Sequence, residues 1–162
     1  MDSIFEYVDA HRQDWIDTVI KLVSQKSISC IDEGVGECAQ LVFKVLTDVG
    51  IDARIIEGYG PPLVYGEIKS LNTEAPCVLV YGHYDVQPSG DITLWSSDPF
   101  KPVENDGRIY GRGVADDKGQ FFTYIAAVQA LKDTTGDVPV NIKFIFEGEE
   151  EIYSLHLGEA LE

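Results

Sequence analysis

Apolar residues recur at helical spacing in two stretches near the start of the chain. Ser3 and Glu6 form a candidate capping box for the first helix. Its apolar stripe consists of Phe5, Val8, Trp15, Val19, Leu22 and Val23. The second stretch runs from about Glu37 to Val49 and is followed by Gly50, a residue type that often ends helices. The pattern therefore predicts two amphipathic helices before residue 50.

The rest of the chain alternates short apolar runs with turn-rich segments. Strands are predicted at 53–57, 63–68, 77–81 and 138–146. Residues 82–113 are rich in Gly, Pro, Asp and Ser, which predicts a long loop, and a helix is predicted from about Asp117 to Lys132. Residues 77–81 are continuously apolar, which predicts a strand buried on both faces. This order indicates an α/β domain whose central sheet, mostly parallel or mixed, is flanked by helices.

Composition narrows the classes of function. The length of 162 residues is typical of one domain, and 28 acidic against 12 basic residues give a formal net charge of −16. This charge disfavours binding to nucleic acid or to an anionic membrane surface. The sequence contains no basic leader with an apolar core, and its three cysteines form no C-x-x-C pair, so we expect a cytoplasmic protein with reduced thiols.

A histidine and an aspartate directly follow the apolar run 77–81. His83 and Asp85 are two positions apart, so in an extended segment their side chains point the same way and the carboxylate can contact the ring. A carboxylate behind a histidine fixes its tautomer and raises its basicity as a metal ligand. The alternative is a loop histidine beside an aspartate that caps a turn.

A glycine-rich segment, residues 111–119, precedes the predicted third helix. It resembles a dinucleotide-binding G-x-G-x-x-G loop except at the sixth position, which is Asp116. An aspartate there would repel a pyrophosphate, so nucleotide binding is disfavoured. Asp117 is expected to open the helix, where the dipole favours acids. Asp116, at the hinge, is then freer to point into a site.

The third cluster is an acidic run, residues 147–151, that ends the last predicted strand. Such a run is often a solvated face. Two adjacent glutamates can also have different roles, because one can bind a metal while its neighbour transfers a proton. Together, His83, Asp116 and Glu151 offer one nitrogen and two carboxylates, a set suited to zinc or a similar ion. Their sequence separations are too long for a zinc finger and suit ligands from successive α/β units.

Four motifs occur together in this chain, namely YGHYDVQP (81–88), Trp95 with DPF (98–100), GRIYGRGVADDKG (107–119) and EGEEEI (147–152). In this order they resemble the co-catalytic dinuclear zinc exopeptidases, a family that includes carnosine-type dipeptidases, acetylornithine deacetylase, succinyl-diaminopimelate desuccinylase and glutamate carboxypeptidases. The sequence of residues 81–88 is most similar to that of the dipeptidase branch.

The resemblance implies a role for each site residue. His83 would bind one zinc ion, Asp116 would bridge two, and Glu151 would bind the second. Asp85 would orient His83, and Glu150 would act as the general base in cleaving the amide bond of a dipeptide or an N-acyl amino acid. Manganese or cobalt could replace zinc, and the full-length protein could be a homodimer.

The chain departs from the family pattern in two ways. Tyr153 and Ser154 stand where Gly-Ser is usual, and no later residue corresponds to the family's downstream acid and histidine ligands. His156 lies too early to be that histidine and is expected to be structural. We therefore expect residues 1–162 to be the N-terminal portion of a catalytic domain, without its lid or dimerisation domain and inactive alone. A fragment with only a structural or binding role is the alternative.

Overall fold

The computed structural model describes residues 2–162 and shows an α/β arrangement. The chain folds into helix α1 (Asp2–Ser24), helix α2 (Val35–Asp48), strands β1 (Asp52–Ile56), β2 (Leu63–Ile68) and β3 (Cys77–His83), a hairpin of β4 (Val103–Asn105) and β5 (Arg108–Tyr110), helix α3 (Gly119–Thr135), strand β6 (Asn141–Glu147) and the short helix α4 (Leu157–Ala160). Both predicted N-terminal helices are present. Because α1 already includes Ser3, the predicted capping box is wrong, and Phe5 of its stripe is exposed.

The main sheet is mixed and has the strand order β1-β2-β6-β3. The β1–β2 and β2–β6 pairs are antiparallel, whereas β3 runs parallel to β6 with His83 opposite Glu147. The parallel pair brings the carboxyl ends of β3 and β6 to one edge of the sheet, where the chemistry-bearing residues follow. The hairpin of β4 and β5 lies within the segment predicted as a loop, because three-residue strands leave little periodic signal.

The core lies between the sheet and helices α1, α2 and α3. Phe144 and Phe146 of β6 are fully buried on the face that α2 and α3 cover. The Phe121 ring of α3 lies 4.6 Å from the Phe146 ring, measured between centroids. Gly66 of β2 lets α2 pack closely on the sheet, because a Cβ at this position would lie 3.2 Å from the Leu46 side chain of α2. None of the helices within residues 2–162 has the length and apolar character needed to cross a bilayer.

Strand β3 corrects one expectation. Residues 77–81 were expected to be buried on both faces, but Val78, Leu79 and Tyr81 expose 45%, 59% and 47% of their surface. Strand β3 is the outer strand of the sheet in the described chain, and the face that carries Leu79 and Tyr81 lies opposite the helices. The apolar run therefore predicted a strand correctly, but its prediction of burial on both faces was wrong. Only the end of the strand, from Gly82 onward, is buried.

Two short turns complete the framework of the site. The first, which we call the Asp turn, is Gly113–Lys118 and consists of a π-helical turn with its preceding glycine. The second, the Glu turn, is the 3-10 turn Glu150–Ile152 after β6. The Asp turn leads directly into α3, and the Glu turn begins three residues after the end of β6, so their polar residues are held at the same end of the sheet as His83.

Candidate metal centre

His83 ends β3 with its side chain buried and both ring nitrogens facing acceptors. Its Nδ1 lies 3.1 Å from the backbone oxygen and 3.3 Å from Oδ1 of Asp85, and its Nε2 donates to Oδ1 of Asp116 at 2.9 Å. Burial alone would lower the pKa of His83, but the hydrogen bonds to Asp85 and Asp116 outweigh it and raise the pKa to about 9. The two carboxylates therefore favour the protonated ring over the neutral one.

Asp85 connects His83 to the Glu turn. Its fully buried carboxylate accepts the backbone N–H groups of Glu150 and Glu151, at 3.1 Å each, while also facing the His83 ring. Burial alone would raise the pKa of Asp85, but the contacts with His83 and with the Glu151 N–H hold it below its usual value. The predicted contact between His83 and Asp85 is thus present, and the same carboxylate also fixes the two glutamates.

The Asp turn approaches His83 from the opposite side. Asp116 has non-helical backbone angles, φ −153° and ψ 94°, and its side chain is 75% exposed. The Asp117 carboxylate instead turns inward and accepts the backbone N–H of His83 at 3.2 Å, and burial raises its pKa. Gly82 makes this contact possible, since a Cβ there would lie 2.6 Å from Oδ2 of Asp117. Asp117 was expected to open the helix, and it lies in the helical turn that leads into α3, which itself begins two residues later at Gly119.

The acidic run 147–151, which begins at the last residue of β6, divides into two buried and two open members. Glu147 is buried and accepts the hydroxyls of Tyr81 and Ser154, and burial raises its pKa. Glu149 is also buried and faces Nδ1 of His156 at 2.9 Å. Only Glu150 and Glu151 remain open to the site. The solvated-face interpretation of the whole run is therefore wrong for its first half.

Three of these side chains converge. His83, Asp116 and Glu151 each offer one ligand atom, and these atoms all lie within 4.8 Å of one another. Oε2 of Glu150 lies 3.9 Å from Nε2 of His83, beside the cluster. One imidazole nitrogen and two carboxylates fit the donor preferences of zinc and similar divalent ions. All five residues singled out from the sequence thus lie together at the carboxyl end of β3 and β6.

Sequence reasoning missed two residues that support this arrangement. Ser27 is buried after α1, and its Oγ donates to the backbone oxygen of Tyr84 at 2.6 Å. Gln87 donates through Nε2 to the backbone oxygen of Glu151 at 2.9 Å and to its carboxylate at 3.2 Å. Ser27 belongs to no motif and gives no sequence signal. Gln87 lies inside the segment 81–88, so its place in a motif was a usable signal.

The fold and these side chains define a class, an α/β domain with a candidate divalent-metal site at the carboxyl ends of its strands. The profile of Peptidase family M20/M25/M40 matches residues 79–160, about half of the chain. The chain belongs to this family.

Relatives and a solved structure agree with this assignment. The chain is 33% identical to the Beta-Ala-His dipeptidase of Mus musculus over 98% of its own length. It is 35% identical to the Cys-Gly metallodipeptidase dug1 of Schizosaccharomyces pombe over 99% of its length. The crystal structure of human carnosine dipeptidase 1 superposes with a TM-score of 0.88 at 30% identity, covering 99% of this chain and 37% of that one. The chain spans 35% and 37% of the lengths of the two relatives.

Proposed function

We propose that the chain supplies the metal ligands and the proton-transfer group of a metal-dependent peptidase that acts on dipeptides or N-acyl amino acids. The observation that carries this proposal is the convergence of His83, Asp116 and Glu151 within 4.8 Å, in a chain of this peptidase family. Two of its relatives are named as dipeptidases, which favours a small dipeptide as substrate.

His83, Asp116 and Glu151 would hold the metal. In a two-ion centre, His83 would bind one ion, Glu151 the other, and Asp116 both. Zinc suits these donors, and manganese or cobalt could take its place. When bound, such ions polarise a carbonyl and lower the pKa of water. To bind, the His83 ring must give up its Nε2 proton, which Asp116 accepts as a hydrogen bond in the metal-free chain.

Asp85 and Glu150 would supply the remaining functions. Asp85 holds Nδ1 of His83, so Nε2 is the nitrogen that points to the ligand cluster. Glu150 is fixed through its backbone N–H, while its carboxylate is 44% exposed and makes no short side-chain contact among residues 2–162. That carboxylate would take a proton from the attacking water and return it to the leaving amine.

The described residues favour weak activity for this chain alone. With two ions present, each would have Asp116 and one further ligand, whereas catalytic zinc normally has three protein ligands. We propose that residues 1–162 are the N-terminal portion of a catalytic domain whose remaining ligands, lid and dimer contacts come from other residues. Turnover of a dipeptide by this chain should then lie far below the roughly 10 s⁻¹ of a typical enzyme.

A calorimetric titration tests the metal assignment. The 162-residue chain should bind Zn²⁺, and His83→Ala or Asp116→Ala should lose most of that affinity. The matched control is Asp9→Ala, which removes an exposed acid from α1 without touching the cluster. Equal affinity in Asp116→Ala and Asp9→Ala would contradict the assignment.

Hydrolysis tests the role of Glu150. With Zn²⁺, Mn²⁺ or Co²⁺ present, β-Ala-His and Cys-Gly cleavage is followed by chromatography. Glu150→Gln should keep the metal affinity of the parent chain and lose the residual cleavage by about 10²–10⁴-fold. Cleavage at the parent rate in the metal-loaded variant would contradict the role, and turnover near 10 s⁻¹ in the parent would contradict its weak activity.

A further inference from the structure

Lys118 is a fully buried lysine at the end of the Asp turn. Its Nζ donates to the backbone oxygens of Leu22 at 2.9 Å and Gln25 at 2.7 Å, and burial lowers its pKa. These oxygens lie at the carboxyl end of α1, where backbone carbonyls lack partners within the helix and the helix dipole favours a cation. The ammonium group thus satisfies the end of α1 from inside the protein.

The same lysine closes the Asp turn. Its backbone N–H donates to the oxygen of Gly113 at 2.9 Å. Gly113 has φ +87°, and a Cβ there would lie 2.7 Å from Cγ1 of Val86, so the turn packs closely on the chain that follows β3. The turn is therefore anchored at both ends, by Gly113 against Val86 and by Lys118 against α1.

Asp116 depends on this anchoring. Its side chain is 75% exposed, and its short side-chain contact is with His83. Little packing therefore holds the carboxylate in place, and the backbone of the turn must set its position. The same stretch after α1 also holds the other side of the site, because the oxygen of Ser27 accepts the N–H of Val86 at 2.9 Å. Residues 25–27 thus contact both the Asp turn and the segment after His83.

We propose that Lys118 is a positioning residue, whose buried ammonium group fixes the Asp turn against the end of α1 and so holds the Asp116 carboxylate opposite His83 and Glu151. This inference rests on the proposed metal centre. It assigns Lys118 no contact with substrate or metal, and it predicts that metal affinity depends on a side chain that points away from the cluster.

The chain offers a matched control in Lys132. Its Nζ also donates to a backbone oxygen just past a helix, that of Val49 after α2. Lys132 lies on α3 fourteen residues after Lys118, about 20 Å along the helix axis. Replacing it by methionine removes the same kind of contact far from the cluster. Lys132→Met therefore measures how the loss of a lysine contact at a helix end affects metal affinity and amide exchange when that contact is far from the cluster.

Two measurements on the full chain test the inference. Co²⁺ affinity is measured by calorimetry, and hydrogen exchange of the residue 118 amide is measured without metal, for the parent, Lys118→Met, Lys132→Met and Asp116→Ala. Lys118→Met should bind Co²⁺ about tenfold or more weakly than the parent, as expected when a residue supporting a ligand is lost. Its residue 118 amide should exchange faster. Lys132→Met should change neither quantity.

The outcomes separate this inference from the proposed function. A folded Lys118→Met chain with parental Co²⁺ affinity overturns the inference whatever its exchange rate, as does an equal loss of affinity in Lys132→Met. If the parent binds no Co²⁺, the proposed function fails, and the exchange rate alone decides whether Lys118 fixes the turn. If Lys118→Met does not fold, Lys118→Gln is used, because its side chain is one atom shorter and cannot reach the Leu22 and Gln25 oxygens as Nζ does. Parental Co²⁺ affinity in Lys118→Gln then overturns the inference.

Discussion

Two aspartates contact the His83 ring from opposite sides, and their surroundings differ sharply. Asp85 is fully buried, and its carboxylate accepts two backbone N–H groups of the Glu turn in addition to facing the ring. Asp116 is 75% exposed, and its described side-chain contact is the ring itself. The first carboxylate is held by the protein on all sides, whereas the second is held by its backbone and is open to solvent.

This difference in surroundings matters because a metal centre needs carboxylates for two roles, orienting a ligand and binding the ion. A carboxylate whose oxygens are already occupied by N–H groups has few lone pairs left for an ion, but it can fix a histidine and a turn. An exposed carboxylate keeps its lone pairs and can bind an ion at little cost to folding. In the proposed metal centre, Asp85 would therefore orient His83 and Asp116 would bind the ion, although both lie beside the same ring.

The largest effect should come from Asp85→Ala. This change leaves the N–H groups of Glu150 and Glu151 without their acceptor and removes the partner of a buried histidine. We expect the free energy of unfolding to fall by about 2–4 kcal/mol. Urea denaturation followed by circular dichroism measures it. A loss of stability no larger than that of Asp116→Ala would contradict the distinction between the two aspartates.

A smaller loss is expected for Gly82→Ala. The new methyl group would lie 2.6 Å from Oδ2 of Asp117 and 3.1 Å from Cβ of Phe121, so the Asp turn or α3 must shift. We expect a loss of about 1–3 kcal/mol in the same urea experiment. Gly36→Ala in α2 is the control, since no atom lies within 4 Å of its added methyl and the helix should gain stability. Equal stability of the two variants would show that the contact with Asp117 tolerates a side chain.

Asp116→Ala should change stability least among the residues around His83. The pair of Asp116 and His83 is largely solvent-exposed on the aspartate side, so removing it should cost less than about 1 kcal/mol in the metal-free chain. Thermal unfolding without metal measures this cost. A loss comparable to that of Asp85→Ala would mean that Asp116 is a structural residue.

The smallest expected effect is a pH dependence of stability that comes from the pair of Glu149 and His156. The hydrogen bond with Glu149 raises the pKa of His156, so the folded chain binds this proton more tightly than the unfolded chain. The stabilisation is complete below the ordinary histidine pKa of about 6.5 and is lost as the pH rises through the higher folded value. Stability of the parent minus that of His156→Gln should therefore decrease with rising pH. A difference that increases with pH would contradict the pairing.

The sequence predicted the elements that have strong periodicity and the residues that belong to long motifs. The second helix was expected at 37–49 and lies at Val35–Asp48, and β2 has the predicted bounds Leu63–Ile68. The contact between His83 and Asp85 followed from their two-residue spacing in an extended segment. Local geometry was sufficient in each of these cases.

What the sequence missed depends on neighbours distant in the chain. Burial of Leu79 and Tyr81 was expected from their apolar run, but β3 lies at the edge of the described sheet. Asp117 was placed at a helix start, whereas its partner is an N–H group 34 residues earlier. Lys118 carries a charge, and the reason for its burial is the end of α1. Such contacts are set by the tertiary fold, which local patterns do not encode.

The most direct test of the metal centre is a crystal structure of the chain soaked in Zn²⁺, with anomalous diffraction recorded at the zinc edge. The account predicts an anomalous peak about 2.0–2.2 Å from Nε2 of His83 or from carboxylate oxygens of Asp116 and Glu151. The Asp85 carboxylate should remain on the N–H groups of Glu150 and Glu151. Zinc peaks elsewhere on the chain, with none among His83, Asp116 and Glu151, would contradict the account.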